Sequence, residues 1–70
     1  MLPLTYANPN EVNVIKKVNG KPETKKHLED MGFVTGAVIS VVSDVNGNLI
    51  VNIKDTKVAL DKELAMKIMI

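Results

Sequence analysis

The sequence predicts a small domain of the mainly β class. The expected architecture is a bent, partly closed barrel of five short strands, with one inserted helix and a short helical turn before the last strand. Short runs rich in Val, Ile and Leu recur along the chain, and turn-forming Gly, Asn, Asp and Pro residues separate them. With 70 residues and no Cys, the chain is expected to form a single domain, residues 1–70, around a thin aliphatic core.

The first strand is expected over residues 11–18, after a turn at Pro9-Asn10. Valines alternate in part along this run, and Ile15 breaks their alternation. The break predicts a β-bulge near Ile15-Lys16. Asn19-Gly20 ends the strand, because both residue types tolerate the backbone conformations that turns require.

The inserted helix is predicted over residues 22–31. Pro22 suits its first position, where the missing N–H of proline would have no intrahelical partner in any case. Glu23 is favourable in the first turn because it faces the positive end of the helix dipole. Apolar and small side chains recur at helical spacing and form an inward stripe at Thr24, Leu28 and Met31.

Gly32 is expected to end this helix, because glycine readily adopts a positive φ. In that cap, Leu28 and Phe33 occupy the two positions whose side chains meet. Gly36 then turns the chain into a strand rich in Val and Ile. Leu28, Gly32, Phe33 and Gly36 are therefore interpreted as structural residues.

The second half of the chain carries the signals of a hairpin and a capped helical turn. Asn46-Gly47 lies between two β-branched runs and predicts a type I′ turn, whose central residues both need positive φ. Asp61 suits an N-cap. The expected elements are strands over residues 37–43, 49–53, 57–60 and 68–70, a tight turn over residues 54–56, and a helical turn over residues 62–66.

Charge and composition argue against several classes of function. The net charge is +1, and all nine basic residues are Lys. Nucleic-acid-binding proteins usually show a clear basic excess that includes Arg, so no nucleic-acid partner is expected. No apolar run approaches the roughly 20 residues of a membrane helix, and the N-terminus lacks the basic region of a secretory signal. A cytoplasmic location is expected.

No catalytic residues are predicted. Nucleophilic catalysis needs a nucleophile, a base and an orienting group within mutual reach. The chain has no Cys, and its single His27 has no adjacent Ser. A barrel of this size also has little room for an enclosed pocket. The sequence therefore predicts a protein that is not an enzyme.

Glu23, His27 and Asp30 form the candidate metal site. Their i, i+4, i+7 spacing puts them on one side of the predicted helix, and imidazole with two carboxylates suits a divalent transition metal such as Fe²⁺ or Zn²⁺. The alternative is a solvated polar face, in which Glu23 and His27 interact by a few tenths of a kcal/mol. This second interpretation is preferred, so no cofactor is expected.

A small barrel offers strand edges, helix faces and hairpin tips for contact with other proteins. On the helix, Lys25, Lys26 and Glu29 are the candidate partner-binding residues. The Asn46-Gly47 hairpin tip is a second candidate. The lysines of the helix region are interpreted first as solubilising groups, and steering of association towards an acidic protein surface is the alternative.

Five segments, taken in their order and spacing, carry a resemblance to a known family. They are Leu28–Phe33, Val34–Gly36, Val38–Val42, Val58–Leu60 and Glu63–Ile68. Together they resemble the FeoA family, small cytosolic accessory proteins of bacterial ferrous iron transport, and the resemblance spans residues 3–70. Its departures are the missing proline before Gly36, Pro9-Asn10 in place of Pro-Gly, Asp55 in place of a hairpin Gly, and a helix poor in Arg.

The resemblance implies an SH3-like, five-stranded barrel without catalytic activity. It also implies a partner, the membrane transporter for ferrous iron with its cytosolic GTP-binding domain. Two alternatives stay open at this point. One is a domain that senses or delivers a divalent metal through Glu23, His27 and Asp30. The other is a structural homo-oligomer that pairs exposed strand edges such as residues 68–70.

Overall fold

The computed structural model describes residues 1–70 and contains two α-helices, six strands and one 3₁₀ turn. The third, fourth and fifth strands are the longest and follow one another along the chain. The elements are a 3₁₀ turn (Leu4–Tyr6), β1 (Val12–Val14), β2 (Lys17–Val18), α1 (Pro22–Asp30), β3 (Val38–Val45), β4 (Asn48–Ile53), β5 (Thr56–Leu60), α2 (Lys62–Ala65) and β6 (Ile68–Met69).

The strands form two antiparallel sheets, which no hydrogen bonding closes into a continuous ring. One sheet has the order β1-β3-β4-β5, and the other pairs β2 with β6. Both sheets, α1 and the 3₁₀ turn contribute to a single core of 12 buried apolar residues. Along β4 the buried side chains are Leu49, Val51 and Ile53, the alternation expected of a strand with one face on the core.

The predicted first strand divides into β1 and β2 where the bulge was expected, which accounts for six strands rather than five. Ile15 is fully buried, and its N–H donates to the carbonyl of Ala37 at 2.9 Å. The next residue, Lys16, donates instead to the carbonyl of Met69 at 2.8 Å. The chain therefore changes its pairing partner between Ile15 and Lys16 and links the two sheets.

The end of α1 has the geometry of a Schellman motif. Gly32 has φ +101° and donates its N–H to the carbonyl of Glu29 at 2.8 Å. The N–H of Phe33 donates to the carbonyl of Leu28 at 2.9 Å, and both side chains are fully buried. This cap fixes the end of the helix against the core.

Two hairpins connect β3, β4 and β5. Asn46 and Gly47 have φ values of 55° and 88°, both positive, as a type I′ turn requires. In the second hairpin, Lys54 and Asp55 have φ values of 50° and 60°. This left-handed conformation is less favourable for residues that carry a Cβ atom than for Gly. Thr56, expected in this turn, is the first residue of β5.

The two chain ends pair with each other. Asp61 caps α2 by accepting the N–H of Leu64 at 2.8 Å. After α2, β6 pairs with β2 on one side. On its other side, Leu2 and Ile70 exchange two backbone hydrogen bonds of 2.9 and 2.8 Å. The expectation that residues 68–70 present an exposed edge for oligomerisation is therefore wrong, because the N-terminal segment covers that edge.

Candidate partner-binding surfaces

Helix α1 presents an exposed, charged face on a firmly positioned element. Leu28 is its only buried residue, whereas Lys25, Lys26 and Glu29 are all exposed. Pro22 occupies the first helical position, and the Gly32 cap holds the other end. The apolar stripe thus anchors the helix and leaves the charged side chains directed towards solvent.

The charged groups of α1 are not used to hold the fold together. The five side-chain hydrogen bonds of the structure all lie elsewhere, around the start of β1, at the two hairpins and at the cap of α2. The core contains no buried polar or charged residue. The lysine and glutamate head groups of α1 therefore remain available to an external partner.

Two shallow depressions flank this face, and Lys25 and Glu29 line both of them. The depression towards β2, of about 300 Å³, also includes Val18 and Val34. The other, of about 430 Å³, includes Lys26 and is lined only by polar residues and Pro22. A partner side chain entering either depression would meet a cation and an anion spaced one helical turn apart.

The hairpin at Asn46-Gly47 borders a separate cleft of about 430 Å³. Asp44 closes the turn by accepting the N–H of Gly47 at 2.9 Å. The cleft is lined by Thr5, Tyr6, Asp44, Gly47, Leu49, Lys62 and Met66. It combines the buried Leu49 with the exposed Tyr6 and Met66, and aromatic residues and methionine are enriched at protein contact sites.

Sequence reasoning missed Tyr6, Lys62 and Met66 as members of this surface. Tyr6 and Met66 are 69% and 50% exposed, and they belong to a set of large apolar side chains that this small protein leaves at its surface. No local pattern joins them, because one ends the 3₁₀ turn and the other follows α2. Only the folded chain brings both beside the hairpin.

Glu23, His27 and Asp30 all lie exposed on α1, yet the structure does not gather them for one ion. No group of three His, Cys, Asp or Glu side chains has a metal-binding arrangement. The physical reason is helical rise. Seven residues advance about 10.5 Å along the axis, whereas ligand atoms must lie about 2 Å from the metal.

The α1 face and the cleft flanked by Tyr6 and Met66 are separate surfaces that share no lining residue. They differ in chemistry, since the first is mostly charged and the second has an apolar floor. Neither α1 nor α2 is long and apolar enough to cross a membrane.

Comparison with known proteins supplies a family and a fold. The family model described as "FeoA domain" matches residues 2–70. The chain is 33% identical over 70 residues to the "Putative Fe(2+) transport protein A" of Methanocaldococcus jannaschii, a match that covers 100% of this chain and 85% of that protein. These matches extend across both candidate surfaces.

Two solved structures show the same architecture. The crystal structure of an iron uptake regulatory protein, FeoA, has a TM-score of 0.88 at 26% identity, covering 97% of this chain and 90% of that one. FeoA of Stenotrophomonas maltophilia in complex with zinc, described as an SH3 domain protein, has a TM-score of 0.84 at 20% identity, covering 99% and 88%. The expected mainly β, SH3-like fold is confirmed.

Proposed function

The chain belongs to the FeoA domain family, and on this premise we propose that it is a non-enzymatic accessory protein of ferrous iron transport in the cytoplasm. Its partner is the cytosolic GTP-binding part of the membrane iron transporter. The chain docks on that partner through the charged face of α1, with Lys25, Lys26 and Glu29 as the contact residues. In this function iron is the cargo of the transporter.

The proposal is supported by the contrast within α1 between one buried anchoring residue and a charged, exposed face. One residue of the helix, Leu28, is buried, Thr24 is half-buried, and the other side chains of the helix are exposed. Exposed charges that make no intramolecular bonds stabilise a fold only slightly, yet they can steer and orient a partner. The helix and its cap at Gly32 are already formed in the free chain, and a preorganised surface lowers the entropic cost of binding.

The charge arrangement on α1 suits a partner surface of mixed sign. Lys25 and Lys26 are adjacent, and Glu29 follows Lys25 by one helical turn. Lysine before glutamate at this spacing is the weaker order for an intrahelical ion pair. The Lys25 ammonium and the Glu29 carboxylate therefore remain free to pair with an acidic and a basic group of the transporter.

The test is direct binding to the purified GTP-binding domain of the transporter from the same organism, measured by biolayer interferometry. Charge reversal at Lys25→Glu with Lys26→Glu is expected to weaken affinity at least about tenfold, because two attractive contacts become repulsive. The matched control, Lys16→Glu with Lys57→Glu, makes the same charge change at two exposed lysines that line neither depression beside α1, and it is expected to change affinity little.

Equal loss in both variants would show a nonspecific charge effect and would contradict the α1 assignment. If the wild-type chain binds and the α1 variant binds with unchanged affinity, the docking surface is not the charged face of α1. Tyr6→Ala and Met66→Ala then test the cleft beside Asn46-Gly47 as the second docking site. No binding by the wild-type chain, with or without guanine nucleotide, would contradict the proposed partner itself.

A further inference from the structure

The four-stranded sheet has two free edges, β1 and β5. On β1, the bond from Ile15 to Ala37 marks a hydrogen-bonded pair. Because such pairs alternate along antiparallel strands, Asn13 bonds to Ile39, and the N–H and C=O groups of Val12 and Val14 point away from the sheet. No backbone hydrogen bond outside the sheet involves either valine.

The side chains beside this free edge are apolar and exposed. Val12 is 68% exposed and Val14 is 47% exposed. Val14 lies directly opposite Val38, which is 57% exposed, so three valines form one strip on the outer face of the sheet. Unpaired backbone groups and an apolar strip together make a template for an added strand.

The β5 edge, unlike the β1 edge, carries a charged residue that protects it from pairing with another strand. Its outward-directed backbone groups belong to Lys57 and Ala59, as the pairing of Ile53 with Thr56 across the hairpin requires. Lysine on an edge strand opposes pairing with another chain. The β1 edge carries neither charge nor proline between Val12 and Val14.

We propose that β1 pairs with β1 of a second copy of this chain, antiparallel, about a two-fold axis at Asn13. In this register Val12 faces Val14 of the second copy, and Asn13 faces Asn13. All the outward N–H and C=O groups of the two valines then find partners, in four hydrogen bonds. The two outer valine strips become continuous across the axis.

Neighbouring registers are poorer. A shift by one residue sets the outward groups of one strand against inward groups of the other, so the bonds do not form. A shift by two residues leaves a valine facing itself and places the other valine against Lys16 in one direction or Asn10 in the other. Only the register at Asn13 pairs both valines with valines.

The charges at the ends of β1 favour the same partner. In the proposed register Glu11 lies opposite Ile15 of the second copy and therefore next to its Lys16. Glu11 and Lys16 are both exposed. The two-fold axis repeats this juxtaposition, so each end of the paired strands brings a carboxylate near an ammonium group.

The size of the contact limits its strength. Two three-residue strands and their valines bury well below the roughly 1,200–2,000 Å² of stable protein interfaces. The dimer is therefore weak and forms as the concentration approaches the millimolar range. A folded monomer predominates in dilute solution.

The absence of Cys from the chain allows a clean test of the register. The Asn13 pair is of the non-hydrogen-bonded kind, with Cα atoms about 4.5 Å apart, which is within the range of a disulfide. Asn13→Cys is expected to form a disulfide-linked dimer at least several times faster than Ala59→Cys, the matched control on the β5 edge. Mixed Val12→Cys and Val14→Cys proteins are expected to cross-link with each other.

A second measurement does not depend on cysteine. Sedimentation equilibrium from micromolar to millimolar protein is expected to show reversible dimerisation that Val12→Lys with Val14→Lys abolishes and Ala59→Lys leaves intact. Circular dichroism verifies that each variant is folded. Cross-linking of Asn13→Cys no faster than Ala59→Cys, or a wild-type chain that stays monomeric at millimolar concentration, would overturn the proposal and leave this edge to a strand of another protein.

Discussion

The backbone N–H of Phe33 donates to the carbonyl of Leu28 at 2.9 Å, and neither side chain is exposed to solvent. The burial of these two side chains in the common core joins the end of α1 to the rest of the fold. It explains how a short helix, whose other side chains are mostly exposed, keeps a fixed orientation on a small barrel. The charged face of α1 is held in place by the same packing.

The cap at Gly32 is expected to be sensitive to any side chain. Gly32 has φ +101°, so Gly32→Ala should lower the free energy of unfolding by about 1–2 kcal/mol. Gly32→Asn should lower it less, because Asn tolerates the left-handed region. Urea denaturation measures both, and the exposed Thr35→Ala serves as the control. A Gly32→Ala variant as stable as the control would contradict the importance of the cap.

The second hairpin should be open to improvement. Lys54 and Asp55 both have positive φ, a conformation that an Asn-Gly pair adopts with less strain. The double substitution Lys54→Asn with Asp55→Gly gives the turn that pair. It should raise the free energy of unfolding by about 1 kcal/mol and Tm by about 4–8 °C, measured by thermal unfolding.

The first hairpin provides the reciprocal control for that experiment. Asn46→Lys with Gly47→Asp should destabilise the protein by a similar amount, because it installs the less favourable pair in the same type of turn. Thermal unfolding followed by circular dichroism compares the two double variants. Changes of the same sign in both would argue against backbone conformation as the cause.

The cap of α2 should contribute measurably despite the shortness of the helix. The carboxylate of Asp61 accepts the N–H of Leu64 at 2.8 Å. Asp61→Ala should cost about 1 kcal/mol of stability, and Asp61→Asn should retain most of it because the amide oxygen can also accept. Glu63→Ala, in the same turn but outside the cap bond, should cost only a few tenths of a kcal/mol. Chemical denaturation distinguishes these outcomes.

Divalent metals are expected to find no single strong site on α1. The spacing of Glu23, His27 and Asp30 along the helix is too long for one ion, so calorimetric titration with Fe²⁺, Zn²⁺ or Mn²⁺ should show no saturable one-to-one binding. His27→Ala should leave the titration unchanged. A one-to-one isotherm that this substitution removes would instead support the metal-sensing alternative.

Some features of the fold could be predicted because they depend on neighbouring residues. The positive φ at Asn10, Gly32 and Asn46-Gly47 and the cap at Asp61 follow from the local chemistry of Asn, Gly and Asp. The interruption of the first strand at Ile15 was also visible as a break in alternation, although the structure has a gap between β1 and β2 there and not the expected β-bulge. In each case the energetic preference lies within a few residues of the chain.

Other features depend on contacts between distant segments. No local signal indicates that the chain changes sheets after Ile15, that Leu2 covers Ile70, or that Tyr6 and Met66 flank one cleft. These arrangements depend on which strands pair and how the core closes over them. They are set by the joint burial of 12 apolar residues from the whole chain.

The proposed contact surfaces also differ in whether neighbouring residues or contacts between distant segments determine them. The sequence alone defined α1, its polar residues and its glycine stop, because helical periodicity and capping are local properties. Tertiary packing decided which sheet edges stay open. The N-terminal segment covers residues 68–70, whereas Val12 and Val14 remain exposed on the edge strand β1. The physical reason is that a strand's hydrogen-bonding groups are satisfied by other strands, and the identity of those strands is a property of the folded chain.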